Sequence, residues 1–100
     1  MIIAPEEELD ITTVDGFRAD LERALDETTE DIVVDLSEVG FIDSTGLSAI
    51  LHIEAKLRRD GRRLAIVAPR GTAAAMLFTL SGLRTQLSIY DSTRAALRSA

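Results

Sequence analysis

The sequence lacks cysteine, has no long apolar run and has fewer basic residues, 11, than acidic ones, 17. Without cysteine the chain can form neither a disulfide nor a thiolate metal site. No apolar stretch approaches the roughly 18 residues that a membrane span requires. The first residues, 1–5, have neither the basic region nor the long apolar stretch of a signal peptide. These absences predict a soluble cytoplasmic protein that does not enter the membrane.

The charge is acidic and unevenly distributed. The formal net charge of −6 argues against nucleic acid as a partner, because phosphates are met by basic surfaces. Residues 1–50 hold 14 acidic residues and two arginines, whereas residues 51–100 hold nine basic and three acidic residues. Such asymmetry can steer a charged partner, but an α/β fold interleaves the two halves. We therefore interpret the charge mainly as ordinary solvated faces.

Hydrophobic periodicity divides the chain into alternating strands and helices. A chain of 100 residues with 46% apolar residues can build one core, so we predict a single domain over residues 1–100. Period-2 and continuous apolar runs predict strands, and period-3.6 stripes predict helices. The predicted strands are Ile2–Ala4, Ile32–Leu36, Leu64–Ala68 and Leu87–Tyr90. The predicted helices follow Thr12 or Thr13, the loop Gly40–Gly46, Thr72, and Asp91 or Ser92.

This order predicts an α/β fold with right-handed crossovers between mostly parallel strands. We expect four to five strands and about four helices. An N-terminal strand, if present, would make the sheet mixed. Many functions share such a fold, so the order of elements alone indicates none of them.

The loop Gly40–Leu47 is the segment most suited to chemistry. It joins a buried strand to the start of a helix, and sites in open α/β sheets gather at the carboxyl ends of strands. Asp43, Ser44 and Thr45 are all good N-cap residues, which is a sufficient structural reason for them. The alternative is that an exposed Ser44 or Thr45 accepts a phosphate, because the free N–H groups at a helix start tolerate an anion. The spacing leaves both interpretations open.

In three segments, residues 35–47, 8–10 and 80–83, the sequence resembles the anti-sigma-factor antagonists, a family of STAS domains. The stretch from Asp35 to Leu47 resembles their strand that ends in Asp-Leu and leads to an Asp-Ser-Ser/Thr-Gly-Leu loop. The residues Glu8-Leu9-Asp10 are similar to the family's Gly-Glu-Leu-Asp segment before its first helix. The residues Leu80-Ser81-Gly82-Leu83 are similar to its Ser-Gly-Leu turn before the last strand.

The resemblance implies a partner-switching function and no catalysis. The unphosphorylated antagonist would bind an anti-sigma factor that is also a serine kinase, and so release a sigma factor. Phosphorylation of Ser44, with Thr45 as second choice, would end binding, and a PP2C-type phosphatase would reset the protein. ATP and Mg²⁺ would belong to the kinase, so no cofactor, metal or catalytic residue is expected on this chain. The expected partner-binding residues are Asp10, Asp43, Ser44, Thr45, Gly46 and Leu47.

The N-terminus departs from this family. Only seven residues precede Glu8, and Glu7 replaces the usual glycine. We therefore expect the first strand to be shortened or missing. An open sheet edge invites strand pairing with another chain, so the sequence also leaves open a homodimer through this edge.

The sequence also suggests three other interpretations. A hydrolytic site would combine Ser44 with His52, but eight helical residues separate them by about 12 Å of rise, and a solvated His52 fits better. A STAS adaptor subunit of a transport or signalling complex would share the fold without switching. The segment Ala73–Phe78 could form a partner groove, although core packing is expected for most of it, with Met76 or Phe78 partly exposed.

Overall fold

The computed structural model describes residues 1–98, so the last two residues of the predicted domain lie outside the described part. Within it lie four strands, four α-helices and one short 3₁₀ helix, Leu83–Thr85. The strands are β1 (Ile2–Ile3), β2 (Ile32–Asp35), β3 (Leu64–Val67) and β4 (Ser88–Tyr90). The helices are α1 (Val14–Glu27), α2 (Ser44–Arg59), α3 (Ala73–Ser81) and α4 (Thr93–Arg98).

The strands form one sheet in the order β1-β2-β3-β4, and each neighbouring pair is parallel. The predicted α/β alternation is therefore confirmed. The prediction that an N-terminal strand would make the sheet mixed is wrong. The strand is present, with two residues, and α1 carries the chain back across the sheet so that β2 starts in the same direction as β1.

The sheet separates two apolar clusters. Alternate strand residues pack with α1, α2 and α3 on one face, and the others meet α4 on the opposite face. The larger cluster contains Ile32, Val34, Leu36, Leu64 and Ile66 from the strand regions, and Phe17, Leu21, Ile50, Ile53, Leu57 and Phe78 from the helices. The smaller cluster contains Val33, Ala65, Val67 and Ala96. Both faces of β2 and β3 are thus covered, which explains why their sequences are almost entirely apolar.

Local signals at α3 match the structure closely. The Thr72 hydroxyl accepts a hydrogen bond from the N–H of Ala75 at 3.2 Å and so caps the helix. Gly82 ends the helix with φ of 74°, a left-handed conformation that favours glycine. Phe78 is fully buried, whereas Met76 is exposed. Core packing therefore accounts for one face of this helix and leaves Met76 outside.

The start of α1 differs from its expected cap. Thr13 occupies the N-cap position, but its side chain forms no capping hydrogen bond. Its hydroxyl instead donates to the carbonyl of Glu8 and accepts from the N–H of Asp10, so it closes the loop before the helix. Across residues 1–98, no helix is both long enough and apolar enough to cross a bilayer.

Candidate functional site

Two loops meet at the amino end of α2. The backbone of Leu9 pairs with the segment around Ile42 in an isolated parallel bridge. The N–H of Leu9 donates to the carbonyl of Phe41 at 2.8 Å, and the N–H of Asp43 donates to the carbonyl of Leu9 at 3.1 Å. The bridge therefore brings Asp10, which follows Leu9, to the same end of the sheet as Asp43.

The N-cap of α2 is Asp43. Its Oδ1 accepts hydrogen bonds from the N–H of Thr45 at 2.9 Å and of Gly46 at 3.4 Å. The same oxygen accepts the Thr45 hydroxyl at 2.5 Å. One carboxylate thus satisfies two backbone donors that the first turn leaves without intrahelical partners. The expectation of a cap in this loop is correct, and Asp43 provides it.

Ser44 is the first residue of α2 and takes no part in this capping. Its side chain is exposed, whereas Thr45 is half-buried. Among residues 1–98 the hydroxyl of Ser44 has no hydrogen-bond partner, and that of Thr45 is bonded to Asp43. The two adjacent hydroxyls therefore differ: one is free at the surface and the other is part of the cap.

Asp10 is held by its own short turn. Its Oδ1 accepts the N–H of Thr12 at 2.8 Å and the Thr12 hydroxyl at 2.6 Å. These bonds fix the carboxylate beside the start of α1 with the same chemistry that fixes Asp43 at the start of α2. Each of these carboxylates uses Oδ1 for its internal bonds.

Hydrogen bonds favour the ionised form of both carboxylates. The hydroxyl of Thr12 and then its N–H lower the pKa of Asp10 below its usual value. The hydroxyl of Thr45 lowers the pKa of Asp43 most, while partial burial and the negative charge of Asp10 oppose this shift. The opposing effect of Asp10 shows that the two carboxylates repel each other electrostatically. Both are ionised at neutral pH, so the surface beside Ser44 is acidic.

Gly46 is required by a close approach of the two loops. A Cβ at this position would lie 2.9 Å from Leu9 Cβ and 3.0 Å from Ile42 Cγ1. Gly46 is also buried, so it offers a partner almost no surface of its own. Its role in this site is to let the Leu9 segment lie directly on α2.

A family model described as the STAS domain matches residues 1–96 of the chain. The chain belongs to the STAS domain family. Its fold is similar to that of TM1081 from Thermotoga maritima, a protein whose proposed role is that of an anti-sigma factor antagonist. The crystal structure of that protein has a TM-score of 0.87 and 27% identity, covering 98% of this chain and 84% of that one. An NMR structure of TM1081 has a TM-score of 0.80 and 28% identity, covering 97% and 78%.

In this STAS domain the residues expected at the partner surface do not contribute equally. Asp10, Asp43, Ser44 and Thr45 are gathered at one end of the sheet with at least part of their side chains accessible. Leu47 is half-buried and packs against the larger apolar cluster. The polar part of the candidate site is therefore the two carboxylates and the two hydroxyls, Leu47 adds a half-buried apolar side chain, and only Gly46 is buried.

Two apolar side chains beside this STAS loop were missed in the sequence. Ile11 is 75% exposed and follows Asp10, and Phe41 is 48% exposed and lies two residues before Asp43. Aromatic side chains such as that of Phe41 are enriched at the cores of protein-binding surfaces. The sequence signal was the position of each residue inside a turn-rich segment, where an apolar side chain has no predicted core to enter.

The solitary histidine of the STAS domain lies away from Ser44. Both residues belong to α2, and eight positions along a helix correspond to about 12 Å of rise. His52 is exposed and its Nε2 is 3.8 Å from Glu22 Oε1, which also binds Lys56 Nζ at 2.8 Å. His52 is therefore too far from the Ser44 hydroxyl to act as its base.

Proposed function

We propose that this STAS domain is an anti-sigma factor antagonist that acts by binding and is switched off by phosphorylation of Ser44. The single observation that carries the proposal is that Asp43 caps α2 and Ser44 takes no part in the cap. Asp43 caps α2, and the Ser44 hydroxyl stays exposed and unbonded within residues 1–98. A kinase could therefore reach the hydroxyl without breaking the helix start.

The neighbouring hydroxyl is a poorer acceptor. The Thr45 hydroxyl donates to Asp43 at 2.5 Å and its side chain is half-buried. Transfer of a phosphate to it would break that bond and place the new charge against a carboxylate. This difference favours Ser44 as the acceptor, in agreement with its position in the family's loop.

A phosphate at Ser44 would change the surface strongly. It adds about −1.5 to −2 charges at pH 7 beside the ionised Asp43 and Asp10. The unphosphorylated surface offers a partner two apolar side chains, Ile11 and Phe41, and two carboxylates. In a partly desolvated interface, an added charge without a cationic partner costs several kcal/mol, and each 1.4 kcal/mol corresponds to about tenfold in affinity. The proposed switch therefore needs no change of fold.

The proposed partners are an anti-sigma factor with serine kinase activity and a PP2C-type phosphatase that removes the phosphate. The kinase would supply ATP and Mg²⁺, so this chain would need no cofactor. The complex would form in the bacterial cytoplasm. Pairing of two copies through the exposed edge of β1 stays a prediction, and its test is the oligomeric state of the purified protein in solution.

The test uses kinases of the anti-sigma type from the same genome, with ATP. We expect one of them to phosphorylate the wild type and the Thr45→Ser variant, with the phosphate mapped to Ser44 by peptide mass spectrometry. Ser44→Ala should bind the kinase and resist modification. Ser44→Asp should bind at least about tenfold more weakly.

Two results would contradict the proposal. Unchanged phosphorylation of the Ser44→Ala variant would show that another residue accepts the phosphate. Equal affinity of Ser44→Ala and Ser44→Asp for the kinase, with no modification of the wild type, would instead favour a non-switching adaptor subunit of a transport or signalling complex. Circular dichroism of each variant serves as the folding control.

A further inference from the structure

A groove of about 450 Å³ runs along α3 and shares no lining residue with the Ser44 loop. Its apolar part is formed by Ala75, Met76 and Leu80. Arg70, shortly after β3, and Asp91, directly after β4, lie at its rim. The groove therefore opens at the carboxyl ends of two parallel strands, where ligands of open α/β sheets bind. Its volume lies within the usual range of small-molecule sites.

The outer face of α3 carries two large apolar side chains next to the polar Thr79 and Ser81. Met76 is 65% exposed and Leu80 is 78% exposed, one helical turn apart. Phe78 and Ala74 on the opposite face are fully buried. Single exposed apolar residues are common, but here the two side chains lie side by side in a concave surface. This arrangement indicates an apolar ligand that covers them.

Two arginines also line this groove. Arg70 and Arg84 both line it, and neither forms a salt bridge or hydrogen bond with any residue from 1 to 98. Asp91 also lines the groove and reduces its local charge to +1. The hydroxyls of Thr72 and Thr79 are already bonded to backbone carbonyls, at 2.7 and 3.0 Å. The free polar groups of the groove are therefore two guanidinium groups and one carboxylate.

We propose that this groove binds an amphiphilic monoanion, a fatty-acid-like molecule with a carboxylate head and an aliphatic tail. The head would lie at Arg70 and Arg84, since guanidinium groups match carboxylates in geometry and charge. The tail would lie over Met76 and Leu80, and the flexible thioether of a methionine adapts to a flexible chain. No described residue lining the groove is aromatic, which disfavours a nucleobase. The acidic Asp91 disfavours a polyanion.

The test is an NMR titration of ¹⁵N-labelled full chain with decanoate below its micellar concentration. We expect saturable amide shifts confined to residues 70–84 and 91. Affinity should rise about two- to fourfold for each methylene from hexanoate to decanoate, as burial of apolar surface requires. Decanol and decyltrimethylammonium, which have the same tail without the negative head, should bind more weakly.

Substitutions of the charged residues in the groove should change the affinity for decanoate in opposite directions. Arg70→Gln and Arg84→Gln should each weaken decanoate binding about two- to fivefold, the range of exposed ion pairs. Asp91→Asn should strengthen it about twofold, because it removes a like charge. Leu80→Gln should flatten the dependence on chain length. All four side chains are exposed, so folding is preserved, and the spectra of the unbound variants check this.

Several results would overturn the proposal. These are shifts that map outside the groove, equal binding of the cationic amphiphile, or weaker binding by Asp91→Asn. Saturation of the same amides by an acidic amphipathic peptide, with no response to decanoate, would instead assign the groove to a protein partner. None of these results depends on phosphorylation of Ser44, so the two proposals fail separately.

Discussion

Replacement of Gly46 by alanine tests whether the Leu9 segment is held directly on α2. The added Cβ would lie 2.9 Å from Leu9 Cβ, closer than carbon atoms approach in folded proteins, and 3.0 Å from Ile42 Cγ1. Leu9 is 1% exposed and both its N–H and its carbonyl are bonded to the α2 loop. The clash therefore cannot be relieved by a side-chain rotation and must displace backbone.

A matched control separates this clash from helix propensity. Gly16 is the third residue of α1, as Gly46 is the third residue of α2. A Cβ on Gly16 would meet nothing within 4 Å. Gly16→Ala should stabilise the protein by about 0.5–1 kcal/mol, the usual difference between the two residues in a helix. Gly46→Ala should gain the same stability from helix propensity but lose about 1–3 kcal/mol because the added methyl group overpacks the contact.

Urea denaturation and thermal unfolding of the two variants measure the difference. We expect Gly46→Ala to unfold at least about 4 °C below Gly16→Ala, since 1 kcal/mol corresponds to about 4–8 °C in a domain of this size. Amide shifts of residues 9–12 should change in Gly46→Ala alone. Equal stability of the two variants would show that the two loops are not in direct contact, and would refute the account of this site.

Three further predictions concern the cap, the pH dependence and the two faces of α3. Asp43→Ala should lower the free energy of unfolding by about 0.5–2 kcal/mol in urea titrations, whereas Asp43→Asn should keep most of it because the amide oxygen still caps. The pKa values of Asp10 and Asp43 are lowered by folding, so their stabilising effect is complete above the ordinary value of 3.8 and is lost as pH falls through the lower folded values. The urea midpoint should therefore drop below about pH 4, less steeply in Asp43→Asn, and an equal slope in both proteins would contradict the assignment. Phe78→Ala should cost about 3–5 kcal/mol and Met76→Ala less than about 0.5 kcal/mol, and similar losses would mean that the buried face of α3 is wrongly assigned.

The alternation of strands and helices was readable because each element carries a strong period of its own. Ile32–Asp35 is apolar up to its last residue and Leu64–Val67 is apolar throughout, as buried parallel strands are. The helix predicted after Thr12 or Thr13 is present as α1 and buries one face in the core. The direction of β1 was not readable from two residues. It depends on the crossover through α1, which is a property of the whole sheet.

The candidate site was only partly predictable for a similar reason. Asp43, Ser44 and Thr45 are all capable caps, and the choice among them depends on the backbone bridge between Leu9 and Ile42. The need for Gly46 comes from the same distant segment, which no local pattern reveals. The exposure of Ile11 and Phe41 was missed because periodicity assigns an apolar residue to the core unless the fold leaves no room for it.

The absence of a hydrogen bond to the Ser44 hydroxyl within residues 1–98 has a consequence for the lifetime of the protein in a cell. A phosphate on this oxygen would break no native hydrogen bond within residues 1–98, and the free N–H groups at the start of α2 would offset its repulsion from Asp43, so the population of unfolded molecules should stay nearly unaltered. Proteases that clear unfolded chains would then remove modified and unmodified molecules at the same rate. Under the proposed switch, the total amount of protein would stay constant while the phosphorylated and unphosphorylated forms interconvert, so turnover would not change the ratio of the two forms.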